Sequence, residues 1–246
     1  MKLLQWNVNW RSDPKRLCKD IARFDADIMC LQEVTRDSEI NLNVDIPALI
    51  CDLGYHMVYE PTIKRTGARH KIEGVGVFSK WEITQSAVHW VNRGNSAQHN
   101  AENYDRALVV ATVDTPIGPI HVSSTHLSMT KDFAMTDARR AEIDRLAAAV
   151  AAMKGDVIVA GDFNAAPDSY ALDVLTRSLK HLDPSIDRPT FPTEPFRYHE
   201  TDFTAEPLTW RIDYILGSAS LRLIEAAIPD TMTSDHLPIL STIDRA

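Results

Sequence analysis

The chain has 246 residues, which is enough for one large domain or two small ones with a sizeable hydrophobic core. Its composition, 44% hydrophobic and 24% charged, is that of an ordinary soluble protein. The net charge of −8 argues against a protein whose whole surface attracts nucleic acid, although a local basic groove is compatible with it.

Cysteine usage and apolar runs indicate the compartment. There are three cysteines, an odd number without CxxC spacing, and this fits reduced thiols better than disulfides or a zinc site. No signal-peptide pattern opens the chain, and its apolar runs are far shorter than the ~20 residues of a membrane-spanning helix. We therefore predict a cytoplasmic protein with no membrane association and no evident protein partner.

The first part of the chain predicts a strand–helix–strand unit. Residues 2–8 and 26–34 are apolar runs typical of buried strands, and residues 13–24 carry apolar side chains at helical spacing after an Asp-Pro start. A polar residue lies near the end of each strand, Asn7 in the first and Glu33 in the second. Strand ends are where α/β proteins usually place their chemistry, and so both residues are candidates for a functional site.

A cationic patch follows the first strands. Residues 41–60 indicate a short helix and then a strand at 55–59. The next segment, residues 62–71, has the densest positive charge in the chain, contributed by Lys64, Arg65, Arg69, His70 and Lys71. A solvated loop is the simplest interpretation of such a run, and attraction of a phosphate group is the functional alternative.

A group of strands with short turns is predicted next. The strands cover residues 72–79, 83–91, 106–114 and 120–127, with a polar surface loop at 92–104 and a hairpin turn at 116–119. Consecutive strands with short turns imply antiparallel pairing, and so the sheet should be mixed.

Residues 136–153 give the clearest helical pattern. The apolar face comprises Ile143, Leu146, Val150 and Met153, and the charged residues Asp137, Arg139, Arg140 and Glu142 lie off that face. We therefore predict an amphipathic helix whose buried side is apolar.

A buried strand that begins at Val157 is predicted to stop at Gly161, and a carboxylate and a carboxamide follow on alternate residues. If the extended conformation continues through Phe163, Asp162 and Asn164 point the same way while Phe163 points into the core. Capping of a turn is the alternative role for the pair, and this segment alone supports both equally.

The last part of the chain mixes strands with a long irregular segment. A short helix is predicted at 169–177 and strands at 211–216, 221–228 and 237–243. Between them, residues 181–209 carry five of the thirteen prolines and several aromatic residues, and we expect this segment to be ordered and functional. No repeat or linker interrupts the chain, and we predict a single domain over residues 1–246.

Polar residues recur at the predicted strand ends, and their types suit metal-assisted hydrolysis of a phosphate ester. Mg²⁺ prefers oxygen ligands, an Asp beside an Asn can orient a water, and a His paired with an Asp can stay protonated beside a phosphoryl group. Neither zinc-ligand spacing nor a glycine-rich nucleotide cradle occurs in the sequence. The candidates are Asn7, Glu33, His126, Asp162, Asn164, Asp213, Asp235 and His236.

Six short motifs run in order along nearly the whole chain. They are Leu4-Gln-Trp-Asn7, Leu31-Gln-Glu-Val34, Ser124-Thr-His-Leu127, Gly161-Asp-Phe-Asn164, Arg211-Ile-Asp-Tyr214 and Ser234-Asp-His-Leu-Pro238. This series resembles that of the endonuclease/exonuclease/phosphatase superfamily. The resemblance implies an α/β (α+β) fold, a four-layer α/β sandwich in which helices flank two packed mixed β-sheets, with the site at one rim.

The resemblance also implies a metal site and its surroundings. Glu33 would be the main ligand of Mg²⁺, for which Mn²⁺ can substitute. Asn7 would lie beside it and help to position metal or phosphate, and Asp235 would lie near the metal. Glu73 is expected to orient His126, a histidine that deoxyribonuclease-like members carry.

The remaining implied roles concern the phosphate. Asp162 would orient or deprotonate the water, and Asn164 would bind the phosphoryl oxygens. His236 would contact the scissile phosphate with support from Asp213, and Arg106 would contact the substrate phosphate.

We therefore hypothesise an Mg²⁺-dependent phosphoesterase in which water attacks phosphorus in line. The sequence supports a DNA or RNA nuclease and a small-molecule or lipid-headgroup phosphodiesterase or phosphatase about equally. A non-catalytic binding protein on the same scaffold is the remote alternative, because a fold does not fix a function.

Overall fold

The computed structural model describes residues 1–65, 70–94, 104–183, 187–199 and 202–246. The strands are β1 (Lys2–Asn7), β2 (Ile28–Arg36), β3 (His56–Arg65), β4 (Lys71–Ser79), β5 (Ile83–Asn92), β6 (Arg106–Thr115), β7 (Gly118–His126), β8 (Val157–Asp162), β9 (Lys180–His181), β10 (Phe196–Tyr198), β11 (Phe203–Ala205), β12 (Asp213–Gly217), β13 (Leu221–Ala227) and β14 (Ile239–Arg245). The α-helices are α1 (Pro14–Phe24), α2 (Ile46–Asp52), α3 (Asp137–Ala152) and α4 (Tyr170–Leu175).

Two six-stranded sheets form the centre of the structure. The first has the order β13-β14-β1-β2-β4-β3, and the second has the order β5-β6-β7-β8-β12-β9. Strands β1 and β2 are parallel, as are β7 and β8, whereas the other neighbours are antiparallel. Both sheets are therefore mixed, as predicted, and β10 and β11 form a separate short hairpin.

Side chains alternate between the two faces of each strand, and so each sheet has an inner and an outer apolar face. The inner faces meet in a core that includes Leu3 and Val77 from the first sheet and Val122 and Ile158 from the second. Helices α1 and α2 cover the outer face of the first sheet, and α3 and α4 cover that of the second. The predicted four-layer sandwich is confirmed.

Among the residues described, none of the helices combines the length and the apolar character that crossing a membrane requires.

Both described ends of the cationic segment at residues 62–71 belong to strands rather than to a solvated loop. Strand β3 continues to Arg65 and β4 begins at Lys71, and these two residues pair across the hairpin. The loop prediction is therefore wrong for both ends of the segment, because ladder hydrogen bonds hold the backbone extended despite the charges. Residues 66–69 lie outside the described part of the chain, as do residues 95–103 of the predicted polar loop.

Strands β4 and β5 are consecutive but lie in different sheets, and so the expected pairing between them is wrong. Both edges of β4 are already occupied, by β2 on one side and β3 on the other. The chain therefore crosses to the second sheet at residues 80–82. The hairpin between β6 and β7 is antiparallel, as predicted.

Helix α3 departs from its predicted pattern at two charged positions. Arg139 and Glu142 are each only 1% exposed, although the apolar face alone was expected to be buried. Because a buried charge is costly without partners, both residues must be compensated by nearby polar groups.

The ends of several strands meet at one rim of the sandwich. Parallel pairing brings the ends of β1 and β2 together in one sheet and those of β7 and β8 together in the other. Strand β12 runs antiparallel to β8, so that its first residue, Asp213, lies opposite Asp162. The fold thus gathers predicted polar residues from the ends of five strands.

Candidate active site

Asp162 lies at the centre of the rim and is 1% exposed. Its Oδ2 accepts a hydrogen bond from Asn7 Nδ2 at 3.0 Å, and lies 3.5 Å from His126 Nε2 and 3.7 Å from His236 Nε2. Burial raises the pKa of this carboxyl group to about 6, although the charge of His236 acts in the opposite direction. One carboxylate that can exchange a proton near neutral pH therefore lies beside both histidines.

Asp213 and His236 form a buried pair beside Asp162. The Asp213 Oδ2 lies 2.9 Å from His236 Nδ1 and accepts a hydrogen bond from Thr190 Oγ1 at 2.7 Å, while Oδ1 accepts one from Gln5 Nε2 at 2.7 Å. Burial lowers the pKa of His236, but the charges of Asp213 and Asp162 outweigh it and raise the pKa to about 10. The imidazole is therefore positively charged at neutral pH.

Gln5 and Thr190 were not among the predicted site residues. Gln5 is a polar residue in an otherwise apolar strand, two positions before Asn7, and this alternation is a signal that could have identified it. Thr190 lies in the long irregular segment, where no local pattern distinguishes it from its neighbours.

Glu33 reaches the rim because β2 contains an irregularity. The pairing of β2 with β4 shifts between Leu31 and Val34, and Glu33 has a φ of 57°, a left-handed conformation that is uncommon for a residue with a side chain. Its Oε1 accepts a hydrogen bond from Asn7 Nδ2, and its Oε2 accepts one from the Trp10 backbone N–H, both at 3.1 Å.

Asn7 links the two halves of the site. Its Nδ2 donates to both Glu33 and Asp162, and its Oδ1 accepts a hydrogen bond from the Asn9 backbone N–H at 3.0 Å. The amide oxygen is therefore engaged away from the carboxylates. In this structure Asn7 orients the two acidic side chains, and its predicted part in positioning metal or phosphate stays a prediction.

Negative charge accumulates around Glu33. Oxygen atoms of Glu33 and Glu73 and a ring nitrogen of His126 lie within 4.8 Å of one another. Burial, followed by the charges of Glu73 and Asp235, raises the pKa of Glu33 to about 7. These hard oxygen donors and their unbalanced charge fit a divalent cation such as Mg²⁺.

Glu73 receives its hydrogen bond from Lys71 Nζ rather than from His126. The Lys71 ammonium group also lies 3.7 Å from the centroid of the Trp10 ring. Glu73 therefore does not orient His126 through a direct hydrogen bond in this structure. Burial, and then the charge of Arg106, lowers the pKa of His126, and so this imidazole is neutral at pH 7.

The turn after β8 shows the capping role that the sequence had left open, and the functional role of Asp162 and Asn164 stays a prediction. Asn164 has a φ of 46°, and its backbone N–H donates to Asp162 Oδ1 at 2.9 Å, so that Asp162 caps the turn. The Asn164 Nδ2 donates to the Leu127 carbonyl at 2.9 Å, and Asn164 lines the cleft. Phe163 is fully buried, as predicted.

The two buried charges of α3 hold the loops that follow β7 and β8. Arg139 donates to the carbonyl groups of Ser128, Phe163 and Asn164, the latter two at 3.0 and 2.9 Å. Glu142 accepts from the backbone N–H and the hydroxyl of Ser128 at 3.1 and 3.2 Å. This support for the site was not predicted, although opposite charges three residues apart on a helix were a signal for it.

Gly161 lies inside β8 rather than at its end, so its predicted role as the end of the strand is wrong. A Cβ atom at this position would lie 2.1 Å from the backbone oxygen of Thr125. Strand pairing sets Thr125 opposite Gly161 and His126 opposite Asp162. Glycine is required because β7 approaches closely here.

A cleft of about 750 Å³ opens over these residues. The predicted residues that line it are Glu33, Glu73, Arg106, His126, Asp162, Asn164, Asp235 and His236, whereas Asn7 and Asp213 support them from behind. Other parts of the chain add cations, namely Arg11, Arg65, Lys71 and Arg197, and the aromatic residues Trp10, Tyr104, Phe191, Phe196 and Tyr198.

Relatives of known structure share this architecture. An endonuclease/exonuclease/phosphatase from Beutenbergia cavernae superimposes with a TM-score of 0.76 at 18% identity, covering 100% of this chain and 72% of that one. ANGEL2, a 2′,3′-cyclic phosphatase in complex with adenosine-2′,3′-vanadate, superimposes with a TM-score of 0.67 at 18% identity, covering 98% of this chain and 94% of that one.

Sequence comparison leads to the same group. Protein angel homolog 2 of Danio rerio is 26% identical over a match that covers 65% of this chain and 28% of the relative, so the chain spans little more than a quarter of that relative's length. A sequence model of the Endonuclease/Exonuclease/phosphatase family matches residues 4–236. The chain belongs to this family, and the resemblance predicted from its six motifs is confirmed.

Proposed function

We propose that this chain is a metal-dependent phosphoesterase in which water attacks phosphorus in line. The observation that carries the proposal is the position of Asp162 between a neutral His126 and a positively charged His236. The acidic group of Glu33 and Glu73 lies in the same cleft. A base, a cationic stabiliser and a metal-binding group together make up the parts of a metal-assisted hydrolysis.

Each part has a role in the reaction. Asp162 orients the attacking water and accepts its proton, for which a pKa of about 6 is suited. His236, held by Asp213, stabilises the negative charge that develops on the phosphoryl oxygens. Arg106 adds positive charge, and the Asn164 amide, which lines the same cleft, would bind a phosphoryl oxygen.

The acidic group fits Mg²⁺, with Mn²⁺ as a substitute. Glu33 would be the main ligand, with Asp235 and Glu73 close enough to influence its charge. A divalent cation in this position supplies polarisation of a phosphoryl oxygen and stabilisation of the leaving oxyanion. Lys71 partly balances the same carboxylates through Glu73.

The finer aspects of the proposal rest on the same residues. Residues 1–246 would act as one catalytic domain on a phosphoester substrate, and the three free thiols support a cytoplasmic location. A nuclease and a small-molecule phosphodiesterase use the same chemistry at phosphorus. The likeness to a 2′,3′-cyclic phosphatase supports a substrate that contains a nucleotide.

Hydrolysis of bis(4-nitrophenyl) phosphate with Mg²⁺ or Mn²⁺, and with EDTA, tests the proposal. We expect activity that EDTA removes, and a fall in kcat of roughly 10³-fold in Asp162→Asn, because general-base catalysis typically contributes 10²–10⁴-fold. Glu33→Ala should bind Mn²⁺ more weakly in a calorimetric titration. Asp156→Asn, near the other end of β8, is the matched control and should leave kcat unchanged.

Two outcomes would contradict the proposal. If neither Asp162→Asn nor Glu33→Ala lowers hydrolysis, the mechanism is wrong. If the wild-type protein hydrolyses nothing across DNA, RNA, phosphodiesters and phosphomonoesters with either metal, the alternative of a binding protein on this scaffold is favoured.

A further inference from the structure

A row of aromatic rings leads away from His236 along the cleft. The ring of Phe191 lies 4.6 Å from that of His236, and the ring of Phe196 lies 5.2 Å from that of Phe191. The Tyr198 ring follows at 6.2 Å from Phe196 and is nearly parallel to it, with an interplanar angle of 22°. We name Phe191, Phe196 and Tyr198 the aromatic row.

Exposure increases along the aromatic row. Phe191 is buried, whereas Phe196 and Tyr198 are half-buried, and all three line the cleft. The row therefore begins beside the site of the scissile phosphate and ends where a substrate can be reached from solvent.

Core packing accounts for only part of this arrangement. Behind the aromatic row, Phe203 and Phe133 are buried. The ring centroids of Phe196 and Phe203 are 6.2 Å apart. The three-residue strand β10 alternates, so that Phe196 and Tyr198 share one side and the exposed Arg197 lies between them. Both rings pack against this small core, and each also keeps part of its aromatic surface in the cleft.

The rest of the cleft carries cations beside the carboxylates of Glu33, Glu73 and Asp235. Lys71, Arg106 and Arg197 line it together with the imidazole of His236. The cleft thus combines two parts. Its floor, formed by Asp162 and His236 with Asn7 and Asp213 behind them, is suited to a phosphate, and the aromatic row lies one to two rings away. A nucleotide has both complementary parts, a charged phosphate and a planar base, joined through a single sugar.

We infer that Phe196 and Tyr198 form a subsite for the nucleobase next to the phosphate that lies at His236. This inference rests on the proposed function and names its substrate class: nucleotides rather than sugar phosphates or lipid headgroups. Every base has a π-face on which an aromatic ring can stack, and so we expect discrimination for the presence of a base and little preference among bases.

Two methyl esters that differ only in the base test the subsite: the methyl ester of adenosine 5′-phosphate and that of ribose 5-phosphate. In the wild-type protein we expect kcat/KM for the adenosine ester to be higher by roughly 5- to 100-fold, the range that corresponds to stacking of about 1–3 kcal/mol per base. Phe196→Leu and Tyr198→Leu should each raise KM for the adenosine ester several-fold and leave kcat/KM for the ribose ester unchanged.

Tyr170→Leu is the matched control, because Tyr170 is a half-buried aromatic residue of α4 that lies outside the cleft. This variant should leave kcat/KM unchanged for both esters. The subsite is overturned if the wild-type protein hydrolyses both esters equally well, or if Phe196→Leu lowers both by the same factor.

Failure of the proposed function would give a different result. In that case neither ester is hydrolysed with Mg²⁺ or Mn²⁺, and calorimetric titration of adenosine 5′-phosphate and ribose 5-phosphate decides on the subsite alone. The subsite is supported if adenosine 5′-phosphate binds more tightly than ribose 5-phosphate and if Phe196→Leu abolishes this difference. Equal binding of the two compounds overturns it.

Discussion

The floor of the cleft and the aromatic row are held in place by different forces. On the floor, directional hydrogen bonds fix each side chain, and the partners come from distant parts of the chain: Gln5 and Thr190 both donate to Asp213. The aromatic row lies partly on a three-residue strand, and its rings are held by packing. Chemistry requires fixed atoms, whereas stacking tolerates small shifts. Variants of the floor should therefore change kcat, and variants of the row should change KM.

Asp213→Asn is the strongest test of that difference. It removes the charge that faces His236 Nδ1, which is the largest of the contributions that raise the pKa of the imidazole. Loss of a stabilising charge at the reacting group typically costs about 10²–10³-fold in kcat, and we expect a fall of that size with KM unchanged. Steady-state kinetics on a phosphodiester with saturating Mn²⁺ measures it.

If Asp213→Asn instead raised KM and left kcat unchanged, His236 would contribute only to binding. The expected difference between variants of the floor and variants of the aromatic row would then be contradicted. Asp114→Asn, an exposed residue of β6 in the same sheet, serves as the matched control and should match the wild-type protein.

Arg139→Met tests whether the support of the floor extends into the helical layer. The change leaves the carbonyl groups of Phe163 and Asn164 without their donor and Glu142 without its countercharge. Breaking a buried pair in this way costs about 3–5 kcal/mol, which urea denaturation can measure. Below the unfolding transition, kcat should also fall, because the turn after Asp162 has lost its anchor.

Two comparisons sharpen this prediction. Arg140→Met changes the exposed neighbour and should alter neither stability nor kcat. Arg139→Lys keeps the charge but has one amine for three carbonyl groups, and so it should recover part of the stability. An Arg139→Met variant with wild-type stability and activity would show that the floor needs no support from α3.

Lys71→Met has the smallest expected effect, a change in Mn²⁺ affinity. It tests whether Lys71 opposes metal binding at Glu73 or supports it. The ammonium group binds Glu73 and lies over Trp10, between the acidic group and the cationic part of the cleft. Removing it leaves the buried Glu73 carboxylate without its cation, and we expect Mn²⁺ to bind several-fold more tightly because the metal replaces that charge. Lys64→Met on the neighbouring strand is the control. Weaker Mn²⁺ binding would instead show that Lys71 orients Glu73 for the metal.

The sequence predicted those features that repeat along a strand or a helix. Alternating and helical spacing located most strands and helices, and the six motifs pointed to the residues that meet at the rim. Asp213 is an example, because a charge among apolar strand residues required a partner, and His236 is that partner. In these cases a short stretch of chain carries the whole signal.

Features that depend on two distant segments could not be predicted in the same way. The irregularity at Glu33 becomes visible only against the register of β4, and the crossing from β4 to β5 depends on which edges are already occupied. Burial of Arg139 is a consequence of carbonyl groups supplied by the turns after β7 and β8. In each case the deciding contact lies far away in the sequence.

Gly161 shows that a residue without functional atoms can still determine catalytic geometry. Only a hydrogen atom fits against Thr125 at this position, one step before His126 and Asp162 in the pairing of β7 with β8. Any side chain at this position would act as a wedge and widen the 3.5 Å gap between the imidazole and the carboxylate. The spacing between His126 and Asp162 is thus set by a position without a side chain, which a search for reactive groups would pass over.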